Sequence, residues 1–283
     1  MIKCGSVKLA TGADLPLLVW SVNPAALTTA LKTALDAGYR LIDTAYVYGN
    51  EAVIGKVSGE KQLRDLQVDY FDLYLIHCPC PCKHQPENTP DNYKPLLEDG
   101  RVVPELVDHL ETWKAIGLSN FNEKQIQNVL DHATIKPHNL QIEAHLYWPQ
   151  KELHELCKKN NITMTSYSTL GSSGRATFNP DFIWPTGEPM KDPLVLELAA
   201  KHKKSPAQAC LNFEFVVVDI LLRHMIQRGI CVIPKSINAD RILENCNIFD
   251  FILTEEEINQ LNNVKTRFSI ILGIRSMMST DRI

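Results

Sequence analysis

Short runs of β-forming residues alternate with longer amphipathic stretches along most of the chain. The runs predict seven buried strands, at residues 15–19, 41–44, 71–77, 115–119, 140–143, 163–166 and 231–235. The amphipathic stretches predict helices at residues 24–37, 51–57, 62–66, 123–132, 151–160, 193–202 and 240–247. Strands that alternate with helices are typical of an α/β fold built around a parallel sheet.

The helix ends and the even composition indicate one domain. Gly38 follows the first predicted helix, and Asn160 and Asn161 follow a later one; both residue types tolerate the left-handed backbone of a helix end. The sequence has no internal repeat, no low-complexity linker and no shift in composition. We therefore expect a single domain over residues 1–283, with an irregular C-terminal tail at residues 264–283.

Composition and charge narrow the class of partner. A chain of 283 residues that is 45% hydrophobic buries a sizeable core. The net charge of −4 supplies no basic field, so we expect a small metabolite as partner and no nucleic acid. The apolar run at residues 215–222 is far too short to span a membrane, and no basic segment leads into an apolar stretch at the start. These features favour the cytoplasm and no membrane partner.

The eight cysteines are scattered, which favours reduced, packed thiols over disulfides. One cluster differs, because Cys78, Cys80, Cys82 and His84 together offer soft ligands for zinc or copper(I). The intervening prolines fix φ and make it difficult for the thiolates to converge. We therefore expect a stiff cysteine-rich loop and no metal, with the metal site as the alternative.

Four segments in order identify a family resemblance. They are residues 38–45 running on to 48–51, residues 72–77, residues 117–121, and residues 233–236 followed by Arg241, Glu244 and Asn245. From residue 8 to residue 263 the chain resembles the aldo-keto reductases. The resemblance implies a (β/α) barrel of the TIM type and an NADPH-dependent oxidoreductase that reduces aldehydes and ketones to alcohols.

The catalytic candidates follow predicted strands, and loops on that side of a barrel assemble its active site. Carbonyl reduction needs a proton at the developing alkoxide, and the phenol of Tyr48 is the candidate general acid. By resemblance His77 orients the carbonyl, and Asp43 supports the pair and lies near the nicotinamide ribose. Alternatively, Tyr48 packs with a solvated hydroxyl, His77 is a satisfied, partly buried side chain, and Asp43 is a cap.

The cofactor candidates centre on a basic helix start. Lys235 and Ser236 end a strand, and Asn238 is a good N-cap for a helix whose first turn carries Arg241, which suits a phosphate. The alternative is a solvated basic surface. The resemblance places the adenosine 2′-phosphate there and so favours NADPH over NADH. It assigns the adenine to Glu244 and Asn245, the carboxamide to Ser119, Asn120 and Gln141, the nicotinamide face to Tyr167, and the pyrophosphate to Ser168, Leu170 and Ser172.

The chain departs from the family where the catalytic lysine is expected. The sequence passes from Lys56 to Gln62 without room for the third strand that carries this lysine, so we predict an incomplete barrel. Lys56 and Lys61 are predicted on outer helices and do not replace it. An ammonium beside a phenol lowers its pKa from about 10, so without one Tyr48 is a weaker acid.

Further departures accompany the missing strand. A helix is shortened near residues 112–117, residues 212–220 resemble an insertion inside a helix, and the tail differs from the family's substrate-recognising loop. Three hypotheses follow: a reductase of reduced activity, a barrel that binds NADPH in a regulatory or structural role without useful catalysis, and a product that folds poorly.

Overall fold

The computed structural model describes residues 6–16, 20–21, 27–39, 41–44, 73–79, 115–172, 183–203 and 214–270. The predicted helices at residues 51–57 and 62–66 lie outside these ranges, as do Tyr48 and the place where a strand is predicted to be missing. The domain boundaries predicted from the sequence therefore remain a prediction.

The centre of the described structure is a five-stranded parallel sheet whose strands are neighbours in chain order. The predicted strands at residues 71–77, 115–119, 140–143, 163–166 and 231–235 are all present, with somewhat different ends. A helix follows each of the three middle strands, as the alternating pattern predicts. The strands are β5 (Tyr74–Ile76), β6 (Ile116–Ser119), β7 (Asn139–Glu143), β8 (Thr163–Tyr167) and β9 (Ile230–Val232).

The first predicted strand, at residues 15–19, is described only at residues 15–16, which are in a strand whose pairing differs from the parallel one expected. Leu15 belongs to an antiparallel hairpin in which β1 (Ser6–Lys8) pairs with β2 (Asp14–Pro16). The parallel strand comes later, where β3 (Trp20–Ser21) pairs with β4 (Ile42–Asp43). Pro16 lacks the N–H that a central strand needs, which restricts this segment to a sheet edge.

The helices agree with the predicted pattern where both exist. Residues 123–132 were predicted with the observed ends, and Asn122 and Gln125 form a reciprocal capping box at the start. Helix α5 lies where residues 212–220 were predicted as an insertion inside a helix, and α7 was not predicted. The helices are α1 (Leu27–Ala37), α2 (Glu123–His132), α3 (Lys151–Lys159), α4 (Pro193–Lys201), α5 (Glu214–Gln227), α6 (Ala239–Glu244) and α7 (Glu255–Asn262).

The first and last parts of the fold are packed together. Helix α1 lies against α6, and the buried hydroxyl of Tyr39 donates to the carbonyl oxygen of Ile242 over 3.2 Å. Leu31 on α1 shares one hydrophobic core with Leu140 on β7 and Ile230 on β9. The structure therefore curves round so that helices from the two ends of the chain meet.

The cysteines in the described ranges are free thiols, as predicted. Cys157, Cys231 and Cys246 are buried, and Cys78 is half-buried. Burial raises the pKa of Cys157 and of Cys231 to about 12. Within the described ranges no group of three or more His, Cys, Asp or Glu side chains could hold a metal ion, and Cys80, Cys82 and His84 lie outside them.

No helix in the part of the chain that the structure describes is long and apolar enough to cross a membrane.

Two buried histidines couple the stability of the fold to pH. Burial, with the charges of Arg228 and Lys158, lowers the pKa of His154 to about 4, and burial and Arg228 lower that of His224 to about 3. The unfolded chain binds protons at these sites below about pH 6.5, whereas the folded chain does so only near pH 3–4. The stabilisation that comes from keeping these two histidines neutral is therefore fully present above pH 6.5, and it is lost as the pH falls towards 4.

We expect the wild-type protein to lose on the order of 2–4 kcal/mol of stability between pH 7 and pH 5, because two sites there bind protons only when unfolded. Urea unfolding at several pH values measures this slope. The variant His224→Gln keeps a donor to Asn262, whose oxygen lies 2.9 Å from the imidazole, and should reduce the slope by about half. The exposed His132→Gln is the control, and an equal slope in all three proteins would contradict the expectation.

Candidate active site

The candidate site lies at the carboxyl edge of the parallel sheet. Ser119 ends β6, Gln141 lies opposite it on β7, and Tyr167 ends β8 opposite Glu143. His77 follows β5 and Asp43 ends β4. Because parallel strands point the same way, side chains at these positions meet at one edge although they are far apart in sequence.

A hydrogen bond joins Asp43 to the five-stranded sheet. Gln141 donates from Nε2 to Oδ1 of Asp43 over 2.9 Å. Burial raises the pKa of Asp43 above its ordinary value, and the hydrogen bond from Gln141 and the nearby charge of His77 oppose this rise. Since Gln141 donates here, its amide oxygen remains to accept a hydrogen bond, and no described residue occupies it.

Asn120 is the centre of a buried polar network. Its backbone is left-handed, with φ +64°, and its N–H donates to the carbonyl oxygen of Gln141. Its side-chain nitrogen donates to the carbonyl oxygen of His77 over 2.8 Å and to the hydroxyl of Ser119 over 3.1 Å. Its side-chain oxygen accepts from the hydroxyl of Tyr167 over 2.6 Å. One amide therefore fixes three other predicted site residues relative to one another.

The imidazole of His77 is exposed at the end of β5. The backbone of His77 is linked through Asn120 and Gln141 to the carboxyl group of Asp43, which places these two predicted catalytic residues at the same edge of the sheet. Tyr48, the predicted acid, lies outside the described residues. The structure thus brings together two of the three catalytic candidates, and their roles remain a prediction.

The loop after β8 holds the three residues predicted for the pyrophosphate. Ser168 and Ser172 both have positive φ, +54° and +47°, and the hydroxyl of Ser172 donates to that of Ser168 over 2.8 Å. Leu170 is half-buried and packs against the core. At Gly171 a Cβ atom would lie 2.5 Å from the ring of Pro189, so the chain passes close to that proline.

The basic candidates follow β9, the strand beside β8. Lys235 and Arg241 are exposed, and Ser236 is half-buried. The Ser236 hydroxyl accepts from the N–H of Asn238 over 3.1 Å, and the Asn238 side chain accepts from the N–H of Arg241 over 3.0 Å. Asn238 is therefore the N-cap that the sequence predicts, and two exposed cations flank the helix start.

The adenine candidates lie at the other end of helix α6. Glu244 is exposed and ends the helix, whereas Asn245 is buried as its C-cap. Partial burial and the neighbouring charge of Asp240 raise the pKa of Glu244, and Arg241 opposes them. The helix therefore carries Arg241 near its start and Glu244 at its end, and Asn245 caps it.

Sequence reasoning missed the buried carboxylate of Glu143, two residues beyond Gln141 on the same strand. Its Oε1 lies 3.0 Å from Nε2 of His145, and its Oε2 accepts from the hydroxyl of Ser269 over 2.6 Å. Burial favours a higher pKa, but the hydrogen bonds from His145, Ser269 and the Ile270 amide outweigh it and lower the pKa of Glu143. An acidic residue at an inward position of a buried strand is the pattern that could have revealed it.

Comparisons with known proteins identify the family of the chain. The model of the aldo/keto reductase family matches the chain in two segments, residues 2–60 and 57–266. Aldo-keto reductase family 1 member A1 of Mus musculus is 38% identical over 318 aligned residues, covering 94% of this chain and 91% of the relative. The Homo sapiens protein of the same name is 36% identical over 317 residues, with 94% and 91% covered.

A solved structure extends the likeness to the fold. The aldose reductase of Schistosoma japonicum superposes with a TM-score of 0.77 at 32% identity, and the match covers 98% of each chain. The chain therefore belongs to the aldo/keto reductase family, and its fold is the α/β barrel of the TIM type. Membership supports an oxidoreductase that acts on small carbonyl compounds with a nicotinamide cofactor.

The bond between Gln141 and Asp43 predicts a measurable change in acidity. In Gln141→Leu the buried carboxylate loses its donor, so the pKa of Asp43 should rise further above its ordinary value. The NMR chemical shift of the side-chain carboxyl carbon of Asp43, followed as a function of pH, measures this pKa. Gln127→Leu is a matched control, because Gln127 donates to Asp131 over 2.7 Å on an exposed helix surface. An unchanged Asp43 titration in Gln141→Leu would contradict the assigned bond.

Proposed function

We propose that this protein reduces aldehydes and ketones to alcohols with NADPH. The observation that carries the proposal is the hydrogen-bonded set of Asp43, Gln141, Asn120 and Tyr167, with His77 beside it, at the carboxyl edge of the barrel sheet. These residues match the family positions that hold a nicotinamide and a carbonyl group. Their convergence from four separate strands supports one binding site.

The donors present fit a phosphorylated dinucleotide. Lys235 and Arg241 supply two exposed cations and Ser236 a hydroxyl, which suits the double charge of a phosphate. Ser119 and the amide oxygen of Gln141 offer a donor and an acceptor for a carboxamide. When bound, NADPH would supply a hydride to the carbonyl carbon.

The protein's own groups have three tasks. Tyr48 would donate a proton to the carbonyl oxygen as negative charge develops there. The imidazole of His77, exposed at the strand end, would hold that oxygen by a hydrogen bond. Asp43 is half-buried at the same edge, where its carboxylate accepts a hydrogen bond from Gln141 and would orient the polar groups around it. Asn120 would keep the backbone of His77 in place.

The missing lysine supports reduced activity. The two segments of the family match overlap at residues 57–60, which is where we predict that the block carrying this lysine is missing. The alignment to the mouse relative runs over 318 residues against a chain of 283, which favours positions present in the relative and missing here. General acid–base assistance is worth about 10²–10⁴-fold, so a poorly tuned Tyr48 would leave cofactor binding intact and turnover weak.

The second candidate is a barrel that binds NADPH in a regulatory or structural role without useful catalysis. The same break at residues 57–60 favours it, because it removes a catalytic group and leaves the residues predicted to hold the cofactor in place. The two candidates differ only in turnover.

Measuring both aldehyde turnover and NADPH binding distinguishes the two candidate functions. We expect NADPH to quench the intrinsic fluorescence of the wild-type protein on titration. We expect the protein to reduce 4-nitrobenzaldehyde at least about 10²-fold more slowly than family enzymes that have the lysine. Tyr48→Phe should remove the remaining turnover and leave the NADPH Kd within about twofold, because the phenol acts on the carbonyl oxygen. Lys56→Met and Lys61→Met are controls and should change neither. Turnover at a normal rate would reject reduced activity, and binding without turnover would favour the second candidate.

Arg241 tests the preference for NADPH. In Arg241→Ala the NADPH Kd should rise about 10–100-fold, as expected for loss of a charge-assisted hydrogen bond, while the NADH Kd stays within about twofold. Fluorescence titration with both cofactors measures this. Lys124→Ala, an exposed cation on α2, is the matched control. An equal rise in the Kd values for NADPH and NADH would contradict recognition of a 2′-phosphate by Arg241.

A further inference from the structure

Residues 267–270, here called the C-terminal strap, are held at the carboxyl end of β7 by four successive anchors. The guanidinium of Arg267 donates to the carbonyl oxygens of Leu146 and Asn262. The N–H of Phe268 donates to the carbonyl oxygen of Tyr147 over 3.1 Å. Ser269 and Ile270 both donate to the carboxylate of Glu143. The family match ends at residue 266, directly before the strap.

Glu143 is the buried end of this attachment. Its side chain accepts three hydrogen bonds, from His145, Ser269 and Ile270, and all four residues are buried. Nδ1 of His145 accepts from the N–H of Tyr147 over 3.2 Å, so its proton lies on Nε2 and points at Glu143. A buried carboxylate without these donors would be costly. The carboxylate and the strap therefore stabilise each other.

Ring contacts complete the attachment. The ring of Phe268 lies 5.1 Å from that of Tyr147 and 6.3 Å from that of His145. The Tyr147 hydroxyl donates in turn to the carboxylate of Asp192, the N-cap of α4, over 3.0 Å. The strap is thus connected through the loop after β7 to the start of a helix on the barrel.

The position of the attachment connects it to the site. Glu143 lies two residues beyond Gln141, so both side chains are on the same face of β7. It is also the register partner of Tyr167, the predicted nicotinamide-stacking residue. The strap is therefore attached to the strand residue next to those proposed to hold the cofactor and the carbonyl compound.

We propose that Glu143 is a positioning residue that locks the C-terminal strap over the carboxyl edge and thereby sets how tightly the carbonyl substrate binds. It touches neither substrate nor cofactor. This inference rests on the proposed reductase function. Weakening the lock exposes the edge beside Gln141 and Tyr167 to water, which raises KM for the carbonyl compound and leaves the chemical step unchanged.

The variant Glu143→Gln tests the lock with little change of shape. Hydrogen exchange at the Ile270 amide should become about tenfold faster or more, because the amide loses a charged acceptor. KM for 4-nitrobenzaldehyde should rise about tenfold, with kcat and the NADPH Kd each within about twofold. Ser269→Ala removes one donor and should move exchange and KM in the same direction by smaller factors. Glu155→Gln, an exposed glutamate on α3, is the matched control and should change none of these.

The outcomes separate this inference from the proposed function. An active wild-type protein whose Glu143→Gln variant keeps its KM or its exchange rate overturns the inference alone, as does a fall in kcat at constant KM. A wild-type protein that binds NADPH without reducing the aldehyde overturns the reductase function and the inference together. If Glu143→Gln does not fold, Ser269→Ala decides the question by the same measurements.

Discussion

Parallel pairing of β5 to β9 is the constraint on which the rest of the structure depends. Parallel strands in chain order all end at the same edge, so residues more than a hundred positions apart meet there. His77, Asn120, Gln141, Tyr167 and Lys235 reach one edge only because each lies in, ends or follows a strand of that sheet. The site therefore results from the order and direction of the strands, and no single continuous stretch of the sequence contains it.

Buried polar groups at this edge are paired with one another. The amide of Asn120 is shared among His77, Ser119 and Tyr167, and Asp43 is paired with Gln141. Pairing of this kind limits the cost of removing polar groups from water and fixes their directions. It also means that a bound cofactor meets side chains whose orientations are already set, which lowers the entropy lost on binding.

The sequence predicts most of the sheet and helix α2, because their patterns are regular and their ends carry recognisable caps. It does not predict the antiparallel pairing of Leu15 and Pro16, since an apolar run does not reveal which strand it pairs with. It places Asn238 as an N-cap, because capping is local. It does not reveal the bonds from Glu143 to Ser269 and Ile270, because partners 126 and 127 residues apart leave no local pattern.

The deep placement of the sulfur atoms has a chemical consequence for a protein of this family. Burial raises the pKa of Cys157 and Cys231 far above neutrality, so both thiols stay protonated at neutral pH, and the thiolate is the form that attacks electrophiles. Reactive carbonyl compounds and unsaturated aldehydes alkylate thiolates. A fold that keeps these sulfurs protonated and inside its core can encounter such compounds repeatedly without being covalently inactivated at those two positions.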